Sequence, residues 1–156
     1  MSGDEPELEG PKRFLSKFHV YHQAGGQVIG NNANTDVTYA NTLYNRLGEV
    51  NLANGRFTPR KGGWYFLAGS VRFAASGLGT MRTVDLILPG QTLITSVAND
   101  FRGVSHADWH KPYVAAVVWI PDGSYARLAC LQDTGGNLSL FTFYQNDIMF
   151  QGHRLS

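Results

Sequence analysis

Between Trp64 and Ala74 the chain alternates with a period of two. Tyr65, Leu67, Gly69, Val71 and Phe73 fall on one face; Trp64, Phe66, Ala68, Ser70, Arg72 and Ala74 fall on the other, which ends more polar. Strand side chains alternate between faces, whereas helical ones return every three to four residues, so the stretch specifies a strand with one buried face. Thr83 to Leu88 repeats the pattern, with Val84, Leu86 and Leu88 on one side. Tyr113 to Ile120 is a short apolar run rich in valine. Turn signals separate these runs. Pro89-Gly90 precedes Gln91 to Val97, and Pro121-Asp122-Gly123 joins Tyr113–Ile120 to Tyr125–Gln132, a pair that reads as a hairpin. Asp133 to Asn137 is a further glycine turn, after which Leu138–Tyr144 and Ile148–Leu155 close the chain as a long or interrupted strand. Short strands, frequent turns and no long helical period indicate an antiparallel sandwich or jelly roll.

Composition agrees. The 156 residues fit one domain. Lys and Glu, the residues that helix surfaces favour, number four each. The single cysteine, Cys130, excludes an internal disulfide framework and a multi-cysteine zinc site. Asp4, Glu5, Glu7 and Glu9 concentrate acid in the first residues, and the region 1–13 reads as an acidic arm outside a globular head spanning 14–156. The arm is either without fixed structure or a segment that docks on a partner. The basic residues are scattered rather than clustered, which argues against nucleic acid as a partner. The longest apolar run, Tyr113 to Ile120, is far short of the roughly 20 residues of a membrane-spanning helix, so no membrane insertion is expected. The acidic N-terminus lacks the apolar segment of a secretory signal.

Four blocks carry a family resemblance. Tyr39-Ala-Asn-Thr-Leu-Tyr-Asn45 is followed by Asn54-Gly55-Arg56-Phe57-Thr58-Pro59, then Gly63-Trp64-Tyr65-Phe66-Leu67, and the chain closes on Phe150-Gln151-Gly152-His153-Arg154-Leu155. In order and spacing, from Val20 to Leu155, this resembles the globular heads of the complement one-q and tumour-necrosis-factor superfamily. Three departures mark a remote member: Arg60-Lys61-Gly62 in place of a second proline, Leu67 in place of Phe, and Arg154 in place of an apolar residue. No collagen-like run precedes the head. The resemblance implies an all-β, ten-stranded antiparallel jelly-roll β-sandwich that forms a homotrimer. Phe57, Gly63 and Tyr65 are its core signature. The trimer interface is expected at Phe18, Tyr21, Phe143, Phe150 and Gly152, because aromatics crowd both chain ends and one sandwich core is not expected to bury them all. Gly152 within a strand signals a bulge or a close backbone approach, such as a three-fold axis requires.

Candidate chemistry is sparse. Asp133-Thr134-Gly135 matches the aspartic-protease tripeptide but occurs once, whereas that chemistry needs two carboxylates. His106, Asp108 and His110 share a face if extended; they form either a metal site, repeated around a three-fold axis, or a surface loop in which Trp109 packs down. His19 and His22 face opposite sides of a strand and cannot chelate together. Cys130 has the phase of the core and reads as a buried thiol. Asn137-Leu138-Ser139 is a glycosylation sequon. Neither a catalytic site nor a cofactor is expected.

The expected function is that of a non-enzymatic trimeric structural or attachment protein. It is read first as a virion component, a capsid decoration or fibre head, held to a larger assembly through the N-terminal arm. The alternative is a secreted complement-like or cytokine-like recognition domain that binds a cell-surface receptor. A carbohydrate-binding jelly roll that recognises a glycan is the third reading. Ligands are expected on the loops Gly30–Thr35, Ala75–Thr80 and Asn99–Pro112, because sheets leave recognition to their connections.

Overall fold

The computed structural model describes residues 16–23, 26–90, 95–96, 99–100 and 111–156. The acidic arm, His106, Asp108, Trp109 and His110, and most of the loop Asn99–Pro112 lie outside the described residues. In chain order the strands are β1 (Lys17–Tyr21), β2 (Val28–Ile29), β3 (Thr35–Asp36), β4 (Asn41–Asn45), β5 (Val50–Asn51), β6 (Arg56–Phe57), β7 (Gly63–Ser70), β8 (Met81–Ile87), β9 (Thr95–Ser96), β10 (Asn99–Asp100), β11 (Tyr113–Ile120), β12 (Arg127–Gln132), β13 (Leu138–Ser139) and β14 (Met149–Arg154). No helix occurs among the described residues.

Two sheets face each other. One has the order β11-β7-β14-β1-β4; the other has the order β10-β8-β12-β3, with β9 also pairing β8. Short ladders β13-β2 and β5-β6 complete the pairing, and every named ladder is antiparallel. The first and last long strands, β1 and β14, are neighbours inside the five-stranded sheet, with Lys17 opposite His153 and Tyr21 opposite Met149. Ser16 and the C-terminal residues therefore meet at one end, where Arg154 N donates to the Ser16 carbonyl at 3.0 Å.

The sequence pattern and the structure differ in several places. Tyr113–Ile120 and Tyr125–Gln132 do not form a hairpin: β11 pairs β7, while β12 pairs β8 and β3 in the opposite sheet. The turn at Pro121-Asp122-Gly123, with Gly123 at φ 75°, carries the chain across the sandwich because the inward faces of both strands are apolar and close the core from opposite sides. Only Leu138–Ser139 of the run Leu138–Tyr144 is a strand. Among the described residues fourteen strand segments occur, and four of those within 28–57 are only two residues long.

The core lies between the sheets. Phe18, Val20, Tyr65, Leu67, Val118, Ile120 and Phe150 come from one side; Val84, Leu86, Leu128 and Cys130 come from the other. An aromatic chain threads it: Phe18 stacks on Phe57 at 4.4 Å, and Phe57 meets Tyr65 edge-on at 5.4 Å. Phe18 also meets Phe150 edge-on at 4.9 Å. Such pairs add about 0.5–1.5 kcal/mol each beyond their buried area. Gly55 closes its turn at φ 67°, and a side chain there would run into the Val37 carbonyl.

Candidate functional site

The alternation that fills the core also determines what the five-stranded sheet shows on its other side. Along β11, Val114, Val118 and Ile120 are buried while Tyr113, Ala115, Val117 and Trp119 are exposed. Strand register continues that outer surface across the sheet. Val117 stands opposite Phe66, which stands opposite His153, which stands opposite Lys17. A second row runs Ala115, Ala68, Gln151, His19, Tyr44. Tyr113, Val117, Trp119 and Trp64 are 67%, 56%, 47% and 47% exposed, so the outer face over β11 and β7 is aromatic and aliphatic, while over β14 and β1 it carries Gln151, His153, Lys17 and His19. The two tryptophans meet edge-on at 5.7 Å. None of the five strands contains an Asp or a Glu.

Two shallow grooves cross this face. One, of about 470 Å³, is lined by Lys17, Tyr44, Phe66, Gln151, His153 and Arg154. In it the Lys17 ammonium sits 4.9 Å from the centre of the Tyr44 ring, and the His153 ring lies 5.5 Å from Phe66. The other, of about 410 Å³, lies between His19, Gln151, Met149, Tyr113, Lys111 and Asn146. Burial against its neighbours pushes the His19 imidazole below its ordinary value.

The aromatics at the chain ends are placed otherwise than expected. Phe18 and Phe150 are fully buried in the core of the single chain, so they are not a surface left for a neighbour. They belong to adjacent inner strands, where the inward phase is covered by the opposite sheet. Gly152 shares that phase. A Cβ on it would lie 2.5 Å from Leu67 Cδ2 and 2.9 Å from Phe18 Cε1, so its close approach is to its own chain rather than to a three-fold axis. Tyr21 has the outer phase of β1 but is nearly covered by its own surroundings. Phe143 is exposed, but in the loop before β14 rather than on the sheet. Phe57, Gly63 and Tyr65 are all buried. The outer face was legible in the sequence: the exposed phase of Tyr113–Ile120 is apolar too, the mark of a strand covered on both sides.

The residues that mimic catalytic motifs are engaged in holding loops. Asp133 accepts from Thr80 N at 2.7 Å, Thr80 Oγ1 at 2.8 Å and Met81 N at 2.7 Å. Its neighbour Gln132, fully buried, donates to the Ile29 and Gly136 carbonyls and accepts from Thr134 N and Oγ1. Gly135 N donates to Asn31 Oδ1 at 2.8 Å. The loops 30–35, 76–80 and 133–137 are thereby tied together. Burial raises the Cys130 thiol to about 12, which leaves it protonated and unreactive at neutral pH. Among the described residues no three His, Cys, Asp or Glu side chains group as metal ligands.

Asp147 anchors the remaining loop. Its Oδ2 accepts from Phe143 N at 2.8 Å, Tyr144 N at 3.0 Å and the Arg72 guanidinium at 3.0 Å, while Lys111 Nζ lies 3.3 Å from Oδ1. Burial alone would raise the Asp147 pKa, but these hydrogen bonds and the Arg72 charge outweigh it and hold the carboxyl below its ordinary value. For Asp133 likewise, burial raises and the Met81 and Thr80 hydrogen bonds lower, with the lowering dominant. A carboxylate whose folded pKa is depressed stabilises the fold above its unfolded value, about 3.9. That stability is lost as pH falls through the folded value. Thermal melts are therefore expected to fall steeply below about pH 4, and less steeply in Asp133→Asn/Asp147→Asn. An equal fall in the double variant would assign the acid lability elsewhere.

Solved structures share this architecture. The globular domain of zebrafish complement 1qA superposes with a TM-score of 0.62 at 12% identity, covering 91% of this chain and 98% of that one. The Eiger TNF of S. frugiperda gives 0.66 at 12% identity, over 91% and 93%. Murine APRIL at pH 8.5 gives 0.61 at 12% identity, over 90% and 99%. No family model and no curated protein matches the sequence. The chain has the jelly-roll fold of the complement 1q and tumour-necrosis-factor structures.

Proposed function

We propose that this chain is a non-enzymatic recognition head that works as a homotrimer, three copies closing on the outer faces of their five-stranded sheets. The observation that carries the reading is that face itself. Tyr113, Val117, Trp119, Trp64 and Phe66 form a continuous apolar surface on one side of the sandwich, and its strands hold no carboxylate. Monomers rarely leave such a patch in water, and a symmetric interface removes it. The residues proposed for the interface are these five, with Tyr44 and His19 beside them.

Partners would then be met by the loops 30–35 and 76–80, which are tied together by Asn31 and Asp133 through the 133–137 turn. A cell-surface protein receptor is the proposed class of partner. The similar structures are complement and tumour-necrosis-factor proteins, which supports a recognition domain ahead of a capsid decoration or fibre head. The region 1–13 is the proposed tether to whatever carries the head. Nothing catalytic is proposed, since Asp133 and Cys130 are committed to structure. Sedimentation velocity at micromolar concentration is expected to give a trimer near neutral pH. Monomer alone would overturn the reading.

A further inference from the structure

Resting on the trimer reading, we infer that His19 and His153 make the assembly pH-sensitive: the sheet faces close on one another near neutral pH and part as the imidazoles take up protons. His19 sits mid-face, opposite Gln151 on β14 and Tyr44 on β4. Its ring is edge-on to Tyr44 at 5.9 Å and to Tyr21 at 6.2 Å. His153 lies between Phe66 on β7 and Lys17 on β1.

The charges around them have one sign. From β1 come Lys17 and the phenol Tyr21; from β4, Tyr44; from β14, Arg154; from β11, Tyr113; β7 offers no ionisable group on this face. Lys111 shares the His19 groove, and its partner Asp147 is buried and already accepts from Arg72, Phe143 and Tyr144. Arg154 is turned to the Ser156 and Gly62 carbonyls. A protonated imidazole on an open face is solvated by water. On a closed face it loses that water and finds cations and aromatic rings, with no carboxylate from any of the five strands.

Protons therefore bind the separated chains more tightly than the trimer, and by linkage the trimer loosens as pH falls through the histidine range. A tenfold weaker uptake of the proton by each closed His19 would, once pH lies below the imidazole range, weaken the trimer association constant by up to about a thousandfold, which is about thirtyfold in the concentration at which three chains part. The test is sedimentation over a concentration series at about pH 7.5 and about pH 5.5, either side of the imidazole range, for the natural chain and for His19→Gln/His153→Gln. The natural chain is expected to be a trimer at the higher pH and to dissociate at concentrations up to about thirtyfold higher at the lower one; the double variant is expected to hold at both. Monomer at the higher pH would overturn the trimer reading itself. A trimer equally tight at both values would overturn only the present inference, as would a double variant that loosens like the natural chain. Should the double variant fail to fold, His153→Gln, altered at an exposed position, must still shed part of the pH response; an unchanged response overturns the assignment.

Discussion

Val117→Arg is expected to leave the chain folded and to abolish the proposed trimer. Val117 lies on β11, which pairs only with β7 among the described strands, and its side chain is 56% exposed. An arginine there can lay its stem along the sheet and keep its head in water, so a monomer should lose no more than about 0.5 kcal/mol. In the closed assembly each copy carries that charge into a face with Lys17 and His153 and without a carboxylate. An unpaired buried charge costs several kcal/mol, so three together exceed about 10 kcal/mol. Sedimentation should show monomer at every micromolar concentration, with the monomer's near-UV signal intact. A V117R chain that still sediments as a trimer would place the interface elsewhere.

Tyr65→Ala is expected to cost about 3–5 kcal/mol. The ring is 1% exposed, edge-on to Phe57, and its hydroxyl donates to the Lys61 carbonyl at 2.6 Å. Removing it opens a cavity where two strands and the Arg56–Phe57 segment converge. At fixed protein concentration this amounts to roughly 6–20 °C in Tm for a chain of this size. Tyr65→Phe separates the two contributions: it keeps the packing, loses the hydrogen bond and should cost only about 1 kcal/mol. If the two substitutions lowered Tm equally, the hydroxyl and not the ring would be what holds this corner of the core.

Much of the fold was legible because strands announce themselves by phase. Tyr113–Ile120 was read with its true boundaries, and Trp64–Ala74 with its true buried face. Which strands pair was not legible. A turn such as Pro121-Asp122-Gly123 looks the same whether it closes a hairpin or crosses between sheets, and the difference lies in distant partners: β7 for β11, β8 for β12. The loop-holding carboxylates were equally hidden. Asp133 in Asp-Thr-Gly resembled a catalytic fragment because local sequence cannot show that Thr80 and Met81, some fifty residues away, present their N–H groups to it.

The proposed interface shows the same division. That a surplus of aromatic surface exists follows from sequence alone, since low charge and alternating apolar runs leave more hydrophobic area than one core consumes. Which residues form that surplus was decided by tertiary structure. Phe18 and Phe150 lie on adjacent strands inside the five-stranded sheet, where the facing sheet covers their side completely. Tyr113, Val117 and Trp119 lie on a strand of the same sheet with the opposite phase, and the described residues leave them largely exposed. Phase is a local property and can be read along the chain. Coverage depends on what packs above a face, and only the assembled sandwich determines that.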